Sequence, residues 1–288
     1  MGEKMPNRIS FGRKCDRVRF PARIVASTFL CLASLAYPLA YTRADDEAYL
    51  KPGVRNSAMR PLAADQLAIL AAGLRLWTGF SEVHFDDQGC LQIGNTTRIA
   101  GGSDAARVLI LAAVRSGDAF RLEDHSRSMA VAFASIQPVE DYVDATEVRH
   151  TIWSLKLDLH DFRQLRGGSE AIAAFDPAIS ILHELGHGVL HLWDSVSPSD
   201  PLGDCERHMN RIRRETGQAE RQSYLPQCRL GSTLENPAES VLAQLVFVKR
   251  APDEKTRTTL VFFRMESVCT PKAFRRETCT NCPPFAPN

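Results

Sequence analysis

Two histidines four residues apart, with a glutamate after the first, are the residues of this chain best suited to chemistry. Residues 183–187 read His-Glu-Leu-Gly-His, which fits the pattern H-E-x-x-H. On a helix, residues four apart share one face, so both imidazoles can reach one metal ion at about 2.0–2.1 Å. Glu184 lies on the neighbouring face, where its carboxylate can take a proton from water without binding the metal. The spacing therefore predicts a zinc site formed by His183 and His187, with Glu184 as general base.

The residues around the motif predict the helix that this site needs. Asp176 and Pro177 offer an N-cap and a first-turn proline. A glutamate buried beside two histidines is costly without a metal, which favours a metal site over a core helix with two hydrogen-bonded histidines. Apolar residues recur at helical spacing at Ile181, Leu182, Leu185, Val189 and Leu192.

A catalytic zinc ion usually takes three protein ligands and leaves one position for water, so a third ligand must lie elsewhere. His191 is excluded because about 12 Å of helical rise separates it from His183. Asp194, Asp204, Glu206 and His208 remain downstream. We prefer Glu206, with Asp204 as the alternative, because residues 206–215 predict a second helix that ends at Gly217. A ligand glutamate on such a helix resembles the gluzincin pattern, in which Asn210 would hydrogen-bond a ligand imidazole.

The stretch after the motif reads N-x-I-R-x-E-x-G-x-x-x-R-x-x-Y from Asn210 to Tyr224. Together with H-E-x-x-H, it resembles a bacterial effector-type zinc metallopeptidase family whose members include secreted toxins and type III effectors. The resemblance covers residues 183–224, and it implies a zinc-dependent peptidase in which the H-E-x-x-H residues keep their usual roles. Met209 stands where the family has an acidic residue, and this departure bears on the third ligand.

Tyr224 and Arg221 have a catalytic and a structural interpretation. Either side chain could stabilise the oxyanion of a tetrahedral intermediate, and we predict this role for Tyr224. Alternatively, both residues cap carbonyl groups and complete the packing after the second helix.

The composition describes an ordinary globular chain with an unusual N-terminus. It has 288 residues, 24% of them charged, and a net charge of +1, which gives no reason to expect a nucleic-acid partner. Basic residues up to Arg23 precede an apolar run, residues 24–41, and small residues before Asp45. This order predicts a signal peptide over residues 1–44 and a secreted or periplasmic protein without stable membrane association. An uncleaved anchor is the alternative, although Pro38 interrupts the end of the run.

Six of the eight cysteines follow residue 44, and an even number in an exported chain predicts disulfides. Our preferred pair is Cys205–Cys228, which would bracket the segment after the metal helix. Cys279 and Cys282 predict a disulfide at the C-terminal end rather than a zinc site, because no second pair of metal ligands accompanies them.

The hydrophobic patterns predict an α+β fold, with a zincin-like metallopeptidase domain and a mixed sheet packed on the H-E-x-x-H helix. We expect an N-terminal α/β scaffold over residues 45–170 and a zinc-binding helical part with a Cys-rich tail over residues 171–288. A strand that precedes the metal helix could pair with an extended peptide if it lies at a sheet edge, which the sequence leaves open. Predicted elements are helices at 62–76 and at Ala105–Val114 after Ser103, a hairpin of Val83–Phe85 with Leu91–Ile93, and strands near Phe120–Leu122, Met129–Phe133 and Thr151–Phe162.

The sequence thus predicts an exported zinc-dependent peptidase acting on a protein or peptide substrate. One alternative is an exported zinc-binding protein or toxin-like effector without peptidase activity, in which a fourth ligand such as His191 or His208 closes the metal site. A second alternative is a metal-dependent amidase, which would use the same residues.

Overall fold

The H-E-x-x-H motif lies on a helix that packs against a mixed sheet and three further helices. The computed structural model describes residues 51–128, 131–197, 199–230, 241–250 and 255–264. The α+β class is confirmed, and so is a mixed sheet against this helix. The predicted signal peptide lies outside the described residues. Among those that are described, no helix is both long and apolar enough to cross a membrane.

The first half of the chain forms one sheet, a small hairpin and two helices. Both helices were predicted from local signals, and the Ser103 side chain accepts a hydrogen bond from Ala106 N as the expected N-cap. The predicted hairpin is present. In chain order the elements are β1 (Gly53–Asn56), α1 (Ala64–Thr78), β2 (Val83–Phe85), β3 (Leu91–Ile93), α2 (Asp104–Arg115), β4 (Ala119–Asp124), β5 (Ala134–Val143) and β6 (Arg149–Leu157).

The main sheet has the strand order β1-β4-β6-β5. Strands β1 and β6 run parallel to β4, whereas β5 runs antiparallel to β6. The strand predicted at Thr151–Phe162 is β6, and it lies inside the sheet. In the described part of the chain β6 is the only strand paired with β5, so β5 is the edge strand that could receive an extended peptide.

The strand β6 ends earlier than predicted. The Asp158 side chain accepts hydrogen bonds from His160 N and Asp161 N, and it thereby caps a short helix that contains Leu159. The alternation of leucines therefore stops at Leu157. The strand predicted near Met129–Phe133 falls partly outside the described residues, and 131–133 form a bend before β5.

The second half of the chain contributes helices and a second sheet. This sheet was not expected in the part predicted to be helical; its order is β7-β11-β10-β8, and β9 also pairs with β10. The elements are α3 (Leu159–Gln164), β7 (Arg166–Gly167), α4 (Ser169–Ala173), α5 (Pro177–Leu190), α6 (Gly203–Glu215), β8 (Glu220–Arg221), β9 (Gln227–Leu230), β10 (Val241–Arg250) and β11 (Thr256–Arg264).

One hydrophobic core joins residues from both predicted parts of the chain. It includes Leu109 of α2, Leu155 of β6, Leu182 of α5 and Ile212 of α6, each wholly buried. A second cluster packs Phe133 and Phe175 against β10 and β11. The helix α5 lies where the two clusters meet, which holds the H-E-x-x-H motif on a rigid support.

Candidate metal centre

The helix α5 begins and ends at residues that fix its position. The Asp176 carboxylate accepts from Ile179 N at 2.8 Å and from Trp77 Nε1 at 3.0 Å, so the predicted N-cap also binds α1. At the other end, His191 adopts the left-handed conformation with φ 53°. The chain therefore turns back after Leu190, and the Leu192 carbonyl accepts a hydrogen bond from His187 Nδ1 at 2.7 Å.

The turn brings Asp194 to both histidines of the motif. Its Oδ1 lies 3.0 Å from His183 Nε2, and its Oδ2 lies 3.3 Å from His187 Nε2. The two imidazole rings are 4.9 Å apart and nearly perpendicular. The structure therefore gathers two imidazole nitrogens and one carboxylate around one point.

The buried Oδ1 of Asp194 supports a cation at that point. Although it lies 3.0 Å from His183 Nε2, it has no well-aligned hydrogen bond to any described residue. A buried carboxylate oxygen whose neighbouring imidazole is poorly aligned for a hydrogen bond is costly, and a cation shared with the two imidazoles would satisfy it. The Leu192 carbonyl meanwhile leaves Nε2 of His187 free to bind a metal ion, as is usual for ligand histidines.

A glycine makes the return of the chain to α6 possible. Gly203 has φ +69°, and a Cβ atom there would lie 2.3 Å from Ser195 N. Only glycine fits this close approach, which pairs the backbone of Asp194 with that of Gly203. The Cys205 amide also donates to the Trp193 carbonyl at 3.1 Å. The start of α6 thus holds the loop that carries Asp194.

The structure does not bring Glu206 to this set. Its wholly buried carboxylate pairs with Arg213 and, at 3.3 Å, with Arg221. It faces Nδ1 of His183 at 3.7 Å, whereas Asp194 faces Nε2 of the same ring. Burial disfavours the charge of Glu206, but the two guanidinium groups outweigh this effect and lower its pKa. Glu206 therefore presents a permanent negative charge to the far side of the His183 ring.

The other sequence candidates also lie outside the centre. Asp204, the alternative third ligand, pairs with Arg207 at 2.7 Å on the surface. His191 is exposed at the end of α5, consistent with its exclusion. His208, on α6, is likewise not part of the group.

Asn210 forms hydrogen bonds with the two buried arginines rather than with an imidazole. Its Nδ2 donates to the Arg221 carbonyl at 2.7 Å, and its Oδ1 accepts from Arg221 N at 2.8 Å and from Arg213 Nη1 at 2.9 Å. Arg213 also donates from Nε to the Ala174 carbonyl. The expectation that Asn210 bonds a ligand imidazole is therefore wrong.

Tyr224 lies at the centre, as its predicted catalytic role requires. Its ring stacks on His183, with a centroid distance of 5.7 Å and an angle of 4°. Its hydroxyl group donates a hydrogen bond to the Asp194 carboxylate. Burial and the charge of Asp194 raise the pKa of Tyr224 well above its usual value. The phenol therefore stays protonated, and its single proton is directed at Asp194.

The contacts of Arg221 agree with the structural interpretation, in which it binds carbonyl groups after the second helix. The Arg221 side chain donates to the Ser223 and Tyr224 carbonyls as well as to Glu206. Its guanidinium group lies 5.4 Å from the centroid of the Tyr224 ring. Arg221 therefore holds the segment that carries Tyr224, which is the packing role considered from the sequence.

Glu184 lies on the neighbouring face of α5 and is only half-buried. The Ile136 amide of β5 donates to its carboxylate. Burial raises its pKa, although His183 and His187 oppose the shift. A carboxylate with a raised pKa suits a general base that must take and return a proton near neutral pH.

The charges of the centre are coupled. Burial alone would lower the pKa of His187, but its bonds to Asp194 and the Leu192 carbonyl, with the charges of Asp194 and Glu184, raise it to about 9. Burial works against ionised Asp194, yet the two histidines and Tyr224 hold its pKa far below the usual range. Protonated His187 and ionised Asp194 thus favour each other, and a cation bound between them would displace the imidazole proton.

Cys205 completes a group of four possible ligands. Ligand atoms of His183, His187, Asp194 and Cys205 all lie within 4.8 Å of one another. The thiol, however, donates to the His183 carbonyl at 3.3 Å, and burial raises its pKa far above its ordinary value. Cys205 is a free cysteine, so the preferred Cys205–Cys228 disulfide is wrong; Cys279 and Cys282 lie outside the described residues.

Sequence reasoning named His183, Glu184, His187 and Tyr224 and preferred Glu206 as the third ligand, whereas the structure groups Asp194 with the two histidines. Asp194 could have been found from one signal: it is the first acid after the metal helix, at the point where the helical pattern stops. No family model, curated protein or solved structure matches this chain.

Proposed function

We propose that the protein is a zinc-dependent peptidase in which His183, His187 and Asp194 bind the metal and Glu184 is the general base. One observation carries this proposal: the Asp194 carboxylate faces Nε2 of both histidines while Glu184 lies on the adjacent face of the same helix. Two imidazoles and one carboxylate form a common ligand set of catalytic zinc. Such a set leaves the position that a substrate and a water molecule require.

Zinc suits these ligands better than harder cations do. Calcium and magnesium prefer shells made of oxygen atoms, whereas imidazole nitrogens suit zinc and the neighbouring transition metals. When bound, zinc would polarise the scissile carbonyl and make water acidic enough to attack at neutral pH.

The protein's own residues would then move the protons and hold the substrate. Glu184 takes a proton from the attacking water and passes it to the leaving amine. Tyr224, whose phenol is protonated, would move its single hydrogen bond from Asp194 to the developing oxyanion. Glu206 lies 3.7 Å from Nδ1 of His183, and its charge favours the tautomer that carries its proton on Nδ1 and leaves Nε2 for the metal.

The edge strand β5 is the place where an extended peptide would bind. Its amide at Ile136 reaches Glu184, so a peptide paired with β5 lies alongside the general base. The backbone groups of an edge strand can bond such a peptide irrespective of its sequence. A zincin-like fold is part of the proposal, supported by the antiparallel edge strand next to the metal helix. Export to the periplasm or beyond is also proposed, from the pattern of residues 1–44.

The decisive experiment compares mature wild-type protein with Glu184→Gln. Metal content is measured by mass spectrometry, and cleavage is measured on a peptide library. We expect zinc in both proteins and a loss of hydrolysis of about 10²–10⁴-fold in the variant, the usual contribution of a general acid–base group. Glu147→Gln, an exposed glutamate in the β5–β6 turn, is the matched control. Undiminished cleavage by Glu184→Gln would refute the mechanism, and small amides in the same assay would reveal an amidase.

A second candidate function follows from the position of Cys205. If its thiolate became a fourth ligand, the site would be closed, and the protein would be a zinc-binding protein or toxin-like effector without peptidase activity. The hydrogen bond of the thiol to the His183 carbonyl and its raised pKa favour the open site. Zinc binding with no cleavage of any peptide or amide would support the closed one.

A further inference from the structure

A cavity of about 190 Å³ opens beside the proposed general base. Glu184 and His183 border it, whereas His187 and Asp194 do not. The cavity therefore lies on the side of His183 and Glu184, away from His187 and Asp194. Its walls are mainly apolar and include Phe133, Ala134, Phe175, Pro226, Leu245 and Phe263.

The aromatic walls support one another and are already in place. The Phe133 ring meets Phe175 at 4.9 Å and Phe263 at 5.0 Å, both edge to face. Such contacts hold rings in fixed orientations. The cavity thus needs no rearrangement to accept an apolar group, which lowers the entropic cost of binding.

Phe133 is held in a strained conformation at this wall. Its φ is +63°, a left-handed value that is rare for a bulky residue. Two backbone bonds maintain it: Phe133 N donates to Asp161 Oδ2 at 3.1 Å, and Asp158 N donates to the Phe133 carbonyl at 2.8 Å. Strain of this kind occurs mostly where function requires it, and here it places a ring beside the general base.

The polar residues of the cavity have their charges paired. Glu206, Arg213 and Arg221 border it, but the carboxylate pairs with both guanidinium groups. Each side-chain nitrogen of Arg221 already donates a hydrogen bond. Apart from the proposed general base Glu184 at its border, the cavity therefore offers no unpaired carboxylate that would select a basic side chain, and its apolar walls favour an apolar one.

The location of the cavity also indicates which part of a substrate enters it. In the proposed peptidase mechanism, Glu184 delivers a proton to the leaving amine, so the amine side of the scissile bond lies next to Glu184. We infer that this cavity binds the side chain of the residue that contributes the scissile amine, and that it selects a bulky apolar residue such as phenylalanine or leucine. The volume of the cavity is large enough for such a side chain, since an apolar cavity of about 150 Å³ accommodates benzene. This inference rests on the proposed function.

The activity test uses peptides that differ only at the residue after the scissile bond, with Phe, Leu, Ala, Asp or Lys there. We expect kcat/KM for Phe and Leu to exceed that for Ala by about 10–200-fold, the range that apolar pockets achieve. Ala134→Leu narrows the cavity at a half-buried position of β5. It should reduce cleavage of the Phe peptide by about tenfold or more while sparing the Ala peptide.

A second variant guards against effects of Ala134→Leu on the edge strand. Leu245→Phe fills the cavity from β10, and Val246→Phe is its control, because neighbouring strand residues point to opposite faces and Val246 does not line the cavity. Circular dichroism establishes that each variant is folded. Equal cleavage of Phe and Ala peptides by the wild type, or a preference that survives both filling variants, would overturn the inference.

A binding measurement separates this inference from the peptidase proposal. The amine-side product Phe-Gly-amide is titrated into metal-free protein and followed by NMR, with Ala-Gly-amide as control. Preferential binding of the Phe compound that is lost in Ala134→Leu supports the cavity even if no peptide is cut, in which case only the peptidase proposal fails. Equal or absent binding of both compounds contradicts the cavity.

Discussion

The Oδ1 atom of Asp194 lies 3.0 Å from Nε2 of His183, on the edge of the ring opposite to Glu206. One imidazole therefore has an acid at each nitrogen, and the two acids differ in what else they contact. Glu206 is paired with two arginines, whereas Asp194 faces the second histidine of the motif. This division supports our proposal that Asp194 binds the metal and that Glu206 supports the ring of His183.

Asp194→Ala should abolish tight zinc binding. Losing a supporting residue typically costs about 10–100-fold in metal affinity, and losing a direct ligand should cost more. Isothermal titration or competition with a chromogenic chelator measures the affinity. Asp204→Ala is the matched control, because that acid pairs with Arg207 on the surface, and it should bind zinc as the wild type does. An unaltered affinity in Asp194→Ala would exclude the proposed ligand.

Glu206→Gln should destabilise the protein and weaken zinc binding indirectly. Removing the carboxylate leaves Arg213 and Arg221 buried without their counter-ion, a change that typically costs about 3–5 kcal/mol of unfolding free energy. Zinc affinity should fall by about 10–100-fold, because His183 loses its charged neighbour. Urea unfolding of the metal-free protein measures the stability.

The contrast between the two acids decides this second prediction. In Asp194→Ala the main loss should be in zinc affinity, whereas in Glu206→Gln it should be in the free energy of unfolding. If Glu206→Gln lost zinc completely and unfolded like the wild type, the roles of the two acids would have to be exchanged.

The sequence predicted those elements whose signals are local. Asp176 caps α5 and Ser103 caps α2, as their residue types and positions indicate. The second helix also ends before Gly217, whose φ is +68°. Caps and end glycines act within one turn of a helix, so neighbouring residues suffice to recognise them.

The acid that we propose as third ligand could not be predicted in the same way, because its position depends on contacts between distant residues. Glu206 has an acceptable spacing, but Arg213 and Arg221 occupy its carboxylate, and no spacing rule shows that pairing. Asp194 depends on the left-handed His191 and on Gly203, which together return the chain to the metal helix. The position of β5 at the sheet edge likewise follows from pairing between strands and not from its own sequence.

Cys205→Ala should retain zinc and activity. The thiol donates to a backbone carbonyl and is protonated, so its removal leaves the proposed ligands in place. The small cavity created should cost stability without reducing the metal content. Metal analysis and peptide cleavage are measured together, with Cys90→Ala as the control at the other cysteine that is free in the described part of the chain. A loss of zinc in Cys205→Ala alone would favour the closed, non-catalytic site.

Asp161 should make the stability depend on pH between about 4 and 7. Burial and the neighbouring Asp158 raise its pKa to about 7, against the opposing bond from Phe133 N. Because this pKa lies above the unfolded value of 3.8, the contribution of Asp161 is complete below that value and is lost as the pH rises through 7. Asp161→Asn keeps an acceptor for Phe133 N and cannot ionise. Its stability should therefore not fall in this way as the pH rises.

The measurement is the difference in unfolding free energy between Asp161→Asn and the wild type across that pH range, in the presence of a metal chelator. The difference should shift in favour of the variant by at most about 1.4 kcal/mol per pH unit. Comparing the two proteins cancels the titration of all other groups, and Asp87→Asn, in the exposed hairpin turn, controls for the loss of one charge. A difference that stays constant from pH 4 to 7 would show that Asp161 is ionised in the folded protein and that Phe133 is held by a charged carboxylate.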